Sequence, residues 1–245
     1  MIVFLVFLAA IAPVVWLMWI IYRKDSVQPE PTKWLVKAFF YGVGSVFLSF
    51  VVSKPMSVIL GCGLDGQHGS IIEAILDAFF LAAIPEELAK LLMLWLLLRK
   101  NPFFDEHFDG IVYAVCVGLG FAALENVFYL FSGIGDFSWI RRGVLRALIS
   151  VPGHYFFAII MGYYYSIYHF GIDMSTKAKA MILVAPILAH GVFDAILMSA
   201  QVSASLGGIL LILFVVFFTK LKKRAKVRID ELSKQAIPEG SESKR

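Results

Sequence analysis

The sequence predicts an all-α protein, a polytopic bundle of about seven transmembrane helices. Apolar runs of about 18 or more residues recur along the 245-residue chain, a length that crosses the hydrocarbon core as a helix. These runs do not alternate apolar and polar residues, so they do not resemble the strands of a membrane barrel, the other structure that lipid tolerates. With 60% hydrophobic and 16% charged residues, the chain is also too apolar for an ordinary soluble domain of this size.

Seven runs are predicted to span the membrane. The first is expected to be retained, because no basic residue precedes it while Arg23 and Lys24 follow it, unlike a cleaved signal peptide. The segment 54–71 holds Pro55 and four glycines and is predicted to be a loop, in part re-entrant. The predicted spans cover approximately 1–22, 35–53, 72–98, 110–131, 144–168, 180–199 and 205–219.

The loops divide into a basic set and a less basic set, and the basic set is expected to be cytoplasmic. This places the N-terminus outside and the C-terminus in the cytoplasm of a multi-pass plasma-membrane protein. Residues 1–219 form the predicted membrane domain. Residues 220–245 form a basic cytoplasmic tail, polar and flexible after about 225. Because the basic cluster directly follows an apolar run, it is expected to face anionic lipid and not nucleic acid.

The third predicted helix carries ionisable groups at bilayer depth, where each costs at least a few kcal/mol and suggests a function. Lys90 follows Glu86 by four residues and Glu87 by three, so it can meet either carboxylate on one helical face. A structural ion pair would explain the lysine and one glutamate. The second glutamate is left for general acid–base chemistry.

Three further helices carry polar groups at similar depths. Glu125 precedes Asn126 on the fourth, His154 lies on the fifth, and His190 lies one turn before Asp194 on the sixth. Each could be structural alone, since buried polar residues often bond to a neighbouring helix. Together they favour one shared site in the middle and outer half of the bilayer.

Two kinds of chemistry fit such a site. Glutamate and histidine can activate water for peptide hydrolysis, with or without zinc, and the candidate metal ligands are Glu87, Glu125, His154 and His190. Proton- or ion-coupled transport uses the same groups and is the main alternative. A non-catalytic membrane scaffold is a third, although buried ion pairs are not dependable stabilisers.

Three short motifs follow one another on successive helices. Glu86, Glu87 and Lys90 match EExxK, Phe121 and Glu125 match FxxxE, and His190 and Asp194 match HxxxD. In this order they resemble the PrsW intramembrane proteases, which look like a branch of the group containing the CAAX prenyl endopeptidases. The similarity covers approximately residues 72–200.

The resemblance implies a bacterial plasma-membrane protease of the glutamate-dependent type. Glu86 and Glu87 would be the catalytic carboxylates, His190 the essential histidine, and Glu125 would complete the site with His154. Lys90, Phe121, Asn126 and Asp194 would support it. PrsW-type members are implicated in the first cut of membrane-anchored anti-sigma factors, so the implied substrate is a single-span membrane protein of that class.

A second group of polar residues lies between the third and fourth predicted helices. His107 stands in the loop DEHFDG with Asp105 and Asp109. A solvated loop is the favoured interpretation, and a surface metal site is the alternative.

Overall fold

The computed structural model describes residues 2–25, 28–61, 68–131, 138–202 and 204–235. Most of these residues are helical, and none of those described forms a β-strand, which confirms the predicted all-α class. The helices are α1 (Ile2–Lys24), α2 (Thr32–Leu60), α3 (Ile71–Leu76), α4 (Ile84–Leu98), α5 (Asp109–Phe131), α6 (Ser138–Leu145), α7 (Val151–His169), α8 (Thr176–Val202) and α9 (Ala204–Gln235).

Two π-helical stretches join neighbouring helices. Asp77–Ala83 connects α3 to α4, and Arg146–Ser150 connects α6 to α7, so the described chain forms seven continuous helical segments. Pro85 and Pro152 follow these stretches in the first turn of α4 and α7. A proline has no N–H and its ring crowds the carbonyl four residues earlier, which a wider π turn accommodates.

Five stretches are long and apolar enough to cross a membrane by length and composition: α1, α2, α5, α8 and Gly143–His169. Large apolar side chains also point away from the protein, as Val58 and Ile59 do with 82% of their surfaces exposed. Exposed apolar surface of this extent is expected where helices face lipid. These features agree with a multi-pass membrane protein.

Helix α5 occupies the centre of the bundle. It is buried almost continuously from Asp109 to Ala123 and packs against α1, α2 and α7. Helix α8 packs against α7, α9 and the π-helical stretch before α4. The α2–α5 crossing is close because a Cβ atom on Gly120 would lie 2.0 Å from the carbonyl oxygen of Phe39. Small residues that let backbones approach are typical of membrane helix interfaces.

The predicted loop 54–71 is wrong in its first part. Helix α2 continues through Pro55 to Leu60 and ends at Gly61, whose φ of 66° is left-handed. A proline removes one backbone hydrogen bond but does not force the helix to end, whereas a left-handed glycine is a common helix terminator. Residues 62–67 lie outside the described part of the chain, and α3 begins at Ile71.

The prediction of a flexible segment after about 225 is also wrong, because α9 runs without interruption to Gln235. Leu221, Ala225, Ile229 and Leu232 are buried. Their spacing of four, four and three residues places them on one helical face, which the basic residues between them conceal in the sequence. Residues 236–245 of the predicted tail lie outside the described residues.

Candidate active site

Lys90 is the centre of a buried polar cluster between four helical segments. Its Nζ atom lies 2.9 Å from Glu87 Oε1 and 3.2 Å from Glu86 Oε2, both on α4, and 3.1 Å from His154 Nδ1 on α7. The ammonium group also lies 4.0 Å from the ring centroid of Phe121. Three hydrogen-bond acceptors match the three donors of an ammonium group, so Lys90 retains no N–H for a substrate.

The hydrogen bond from Lys90 fixes the tautomer of His154. Because Nδ1 accepts from an ammonium group, the ring proton is on Nε2, which lies 2.9 Å from Glu125 Oε2 and donates to it. Arg146 holds Glu125 from the other side, with Nη2 at 2.6 Å from the same oxygen. The Nε atom of Arg146 donates to Asn126 Oδ1 at 2.5 Å. Asn126 in turn donates to the carbonyl of Ala10 at 3.1 Å.

His190 lies between two carboxylates from different elements. Its Nδ1 atom is 2.9 Å from Glu87 Oε1, and its Nε2 atom is 3.0 Å from Asp194 Oδ2 one turn later on α8. Glu86 Oε2 lies further away, 3.9 Å from Nε2. The ring of Phe157 stacks on His190 with 4.7 Å between centroids. Contacts at both nitrogens and on one face leave the imidazole little rotational freedom.

The two adjacent glutamates have different surroundings. The Glu87 side chain is fully buried and its Oε1 atom contacts both Lys90 and His190, whereas Oε2 is buried without a hydrogen-bond partner in the described structure. The Glu86 side chain is 14% exposed and contacts one hydrogen-bond donor, Lys90. Glu86 is therefore the more accessible carboxylate.

The structure brings together every residue that the sequence analysis nominated: Glu86, Glu87, Lys90, Phe121, Glu125, Asn126, His154, His190 and Asp194. Arg146 belongs to the cluster and was not among the predicted site residues. The sequence does contain an indication of this role, because Arg146 is a basic residue near the start of the predicted membrane span 144–168. The π-helical stretch Arg146–Ser150 keeps this cation on the same continuous helix as His154.

The cluster has an excess of negative charge. The cluster contains four carboxylates, Glu86, Glu87, Glu125 and Asp194. Among the described residues, Lys90 and Arg146 are the two permanent cations that pair with them. Four negative and two positive charges leave a formal excess of two negative charges. A buried uncompensated charge is costly, so two protons or one divalent cation should balance the site.

Metal-ligating atoms are available in the cluster. One atom each from Glu86, His154 and His190 lie within 4.8 Å of one another. Two imidazole nitrogens and one carboxylate oxygen are a ligand set that zinc accepts, and the charge excess is that of one divalent ion. The residues therefore fit a metal once one ring nitrogen of each histidine leaves its present partner, and the set contains Glu86 in place of the predicted Glu87 and Glu125.

The chain is similar in sequence to one family of known proteins. The family model described as "PrsW family intramembrane metalloprotease" matches residues 30–221. The chain is 36% identical over 230 residues to Protease PrsW of Clostridioides difficile (strain 630), covering 93% of this chain and 90% of the relative. It is 35% identical over 199 residues to Protease PrsW of Bacillus subtilis (strain 168), covering 79% and 83%. No solved structure gives a significant match.

Proposed function

Because this chain belongs to the PrsW family and is an intramembrane protease, we propose that Glu86 accepts the proton from the water that attacks the scissile amide. Three features support Glu86: it is the more accessible of the two adjacent carboxylates, it keeps lone pairs unused by Lys90, and His190 Nε2 lies 3.9 Å away. A water bound by Glu86 beside His190 would be deprotonated by Glu86.

The neighbouring residues have positioning roles in this proposal. Glu87 and Asp194 orient His190 through its two nitrogens, so that one face of the site stays fixed during the reaction. Lys90 holds Glu86, Glu87 and His154 together, and Arg146 holds Glu125 against His154. Fixed groups need not reorganise when charge develops, which is the largest source of enzymatic rate enhancement in many systems.

The reaction transfers one proton across the site. The hydroxide formed at Glu86 adds to the carbonyl carbon, the carbonyl oxygen becomes negative, and the protonated carboxyl then gives its proton to the leaving nitrogen as the C–N bond breaks. The site returns to its starting state with one water consumed.

A metal is the alternative to this way of activating water, and Glu86, His154 and His190 are the residues that would hold zinc. When bound, zinc would polarise the water and the carbonyl oxygen. In that case Glu87, through the Oε2 atom that lacks a partner, would be the remaining carboxylate for proton transfer. Zinc content therefore decides which glutamate is the base.

We propose a single-span membrane protein as the substrate, with an anti-sigma factor as its class. The site lies among residues of α4, α5, α7 and α8 that are buried within long apolar helices. This position supports a substrate that reaches the site from within the bilayer. The proposed catalytic core is 72–200 within the membrane domain 1–219, followed by the basic tail 220–245. The family assignment does not favour the transporter alternative.

The test measures cleavage and zinc in the same preparations. Wild type, Glu86→Gln, Glu87→Gln and His190→Ala would be purified in detergent and incubated with tagged single-span anti-sigma factors and unrelated single-span proteins. Glu231→Gln and His169→Ala are matched controls because both side chains are exposed and outside the cluster. We expect cleavage of an anti-sigma factor by wild type and both controls, and its loss in Glu86→Gln and His190→Ala.

Contrary results would identify which part is wrong. Unchanged cleavage in Glu86→Gln, at wild-type zinc content, would exclude Glu86 as the proton acceptor. Fewer than one zinc ion per ten protein molecules in fully active wild type would exclude a role for zinc in catalysis. If wild type cleaved the unrelated single-span proteins but none of the anti-sigma factors, the proposed substrate class would be wrong.

A further inference from the structure

A second cluster of carboxylates lies at the opposite end of α5 from the active site. We call it the acidic junction: Asp25 at the end of α1, Glu30 before α2, Glu106 in the connection from α4 to α5, and Asp109 at the first position of α5. Asp109 precedes Glu125 by 16 residues on the same helix, so the two sites are about 24 Å apart. The basic loops nearby predict that the junction faces the cytoplasm.

The junction is buried even though it lies at a helix end. Asp25 and Glu30 are each 4% exposed and Asp109 is fully buried, whereas Glu106 is partly buried. One ligand atom each from Asp25, Glu106 and Asp109 lie within 4.8 Å of one another. No lysine, arginine or histidine among the described residues forms an ion pair with any of the four carboxylates. Crowded, desolvated carboxylates without a counter-ion are costly.

Some of the carboxylate oxygens have neutral donors. Asp109 Oδ2 accepts from the backbone N–H groups of Asp105 and Glu106, at 3.0 and 2.7 Å. Glu30 accepts from the Tyr113 hydroxyl, and Glu106 Oε1 accepts from Gln28 Nε2 at 2.5 Å. These bonds orient the side chains without neutralising them.

Two other oxygens are buried and have no donor in the described structure: Asp109 Oδ1 and Glu106 Oε2. The Asp109 oxygen belongs to a side chain with no exposed surface. An oxygen of this kind, in a group of ligand atoms within coordination reach of one another, indicates a bound cation.

We propose that the acidic junction binds a hard divalent cation, Mg²⁺ or Ca²⁺, through Asp25, Glu106 and Asp109, with Glu30 beside these ligands and held by the Tyr113 hydroxyl. The ligand atoms are all oxygens, and oxygen-only sites select hard cations over zinc or copper. The cation ties the connection between α1 and α2 to the start of α5, segments about 80 residues apart in the chain. This site and its ion differ from the proposed catalytic zinc.

The test is the thermal stability of the full-length protein in detergent after chelation and removal of the chelator. Addition of MgCl₂ or CaCl₂, compared with NaCl at equal ionic strength, should raise Tm by about 5 °C or more at saturation. Glu86→Gln should keep this rise, because it changes only the active site. The exposed variants Asp173→Asn and Glu231→Gln should also keep it.

Asp109→Asn and Glu106→Gln should lose most of the rise. Because Asp109 is fully buried and its variant could fail to fold, the partly buried Glu106→Gln is the second variant. Terbium luminescence, sensitised by Tyr113, whose hydroxyl donates to Glu30, reports binding directly. Mg²⁺ or Ca²⁺ should displace the terbium from wild type and lower the luminescence. Glu106→Gln should weaken the affinity for terbium at least tenfold. No rise in Tm with either ion, or an equal rise in Glu106→Gln, would overturn the proposal.

Discussion

The ammonium group of Lys90 lies 3.1 Å from Nδ1 of His154, and this hydrogen bond determines where the imidazole carries its proton. Nε2 then donates to Glu125, so both nitrogens of His154 are engaged in the described arrangement. His154 is therefore a poor proton acceptor unless Lys90 moves. Proton transfer in the site falls to the carboxylates and to His190.

Replacement of Lys90 by methionine should strongly destabilise the protein. The change leaves Glu86 and Glu87 without their shared cation inside the bundle, and removing one partner of a buried ion pair costs about 3–5 kcal/mol. The measurement is Tm in detergent. Combining Lys90→Met with Glu87→Gln should recover part of the stability, because one uncompensated charge is removed. A single variant as stable as wild type would contradict the charge balance described for the site.

Glu86→Gln and Glu87→Gln should separate activity from stability. Loss of a general base lowers the rate by about 10²–10⁴-fold, and Glu86→Gln should do so with little change in Tm because the side chain is partly exposed. Glu87→Gln should lower both, since Glu87 Oε1 contacts Lys90 and His190 inside the protein. Cleavage rates and Tm would be measured on the same samples. The reverse pattern would exchange the two assigned roles.

Arg146→Lys tests whether the guanidinium geometry matters. The lysine keeps the charge, but it cannot reach Glu125 and Asn126 simultaneously as the planar guanidinium does. We expect kcat to fall at least tenfold with a smaller change in KM, because the role assigned to Arg146 is to orient Glu125. Arg99→Lys, on an exposed arginine at the end of α4, is the control. Equal activity of both variants would show that charge alone is sufficient.

Gly120→Ala should destabilise the α2–α5 crossing. The new methyl group would lie 2.0 Å from the carbonyl oxygen of Phe39, and backbone atoms cannot yield as a flexible side chain can. Overpacking of this kind costs about 1–3 kcal/mol. Gly44→Ala is the matched control, because its nearest neighbour is the Met93 Cε atom at 3.8 Å. Gly44→Ala should keep or raise Tm, because alanine favours a helix over glycine. A similar fall in Tm for both variants would contradict the close crossing as the cause.

The helical class, the seven helical segments and every member of the polar cluster except Arg146 could be predicted from the sequence, because the features that indicate them are local. Long apolar runs define membrane helices, and a charge within such a run is unfavourable enough to be noticed. Lys90 and its two glutamates are visible because they share one helix. Arg146 was missed because its partners Glu125 and Asn126 belong to another helix, and no spacing along the chain reports that contact.

Two other features depended on packing. The buried face of α9 was hidden by the basic residues that alternate with it, so a charged segment was interpreted as a flexible tail. Asp109 was interpreted as part of a solvated loop because its proximity to Asp25, on the connection from α1 to α2, joins residues far apart in the sequence. The metal ligand set also changed, since three-dimensional contacts decide which glutamate oxygens remain available.

The placement of Lys90 one turn after Glu86 and Glu87 has a consequence for biogenesis. The lysine can meet its counter-ions within its own helix, so the segment ending at Leu98 can enter the bilayer in a partly neutralised form before later helices are synthesised. Glu125 depends on Arg146, which follows it by 21 residues and is translated later. The helix that carries Glu125 should therefore stay close to the translocon until its basic partner has emerged from the ribosome.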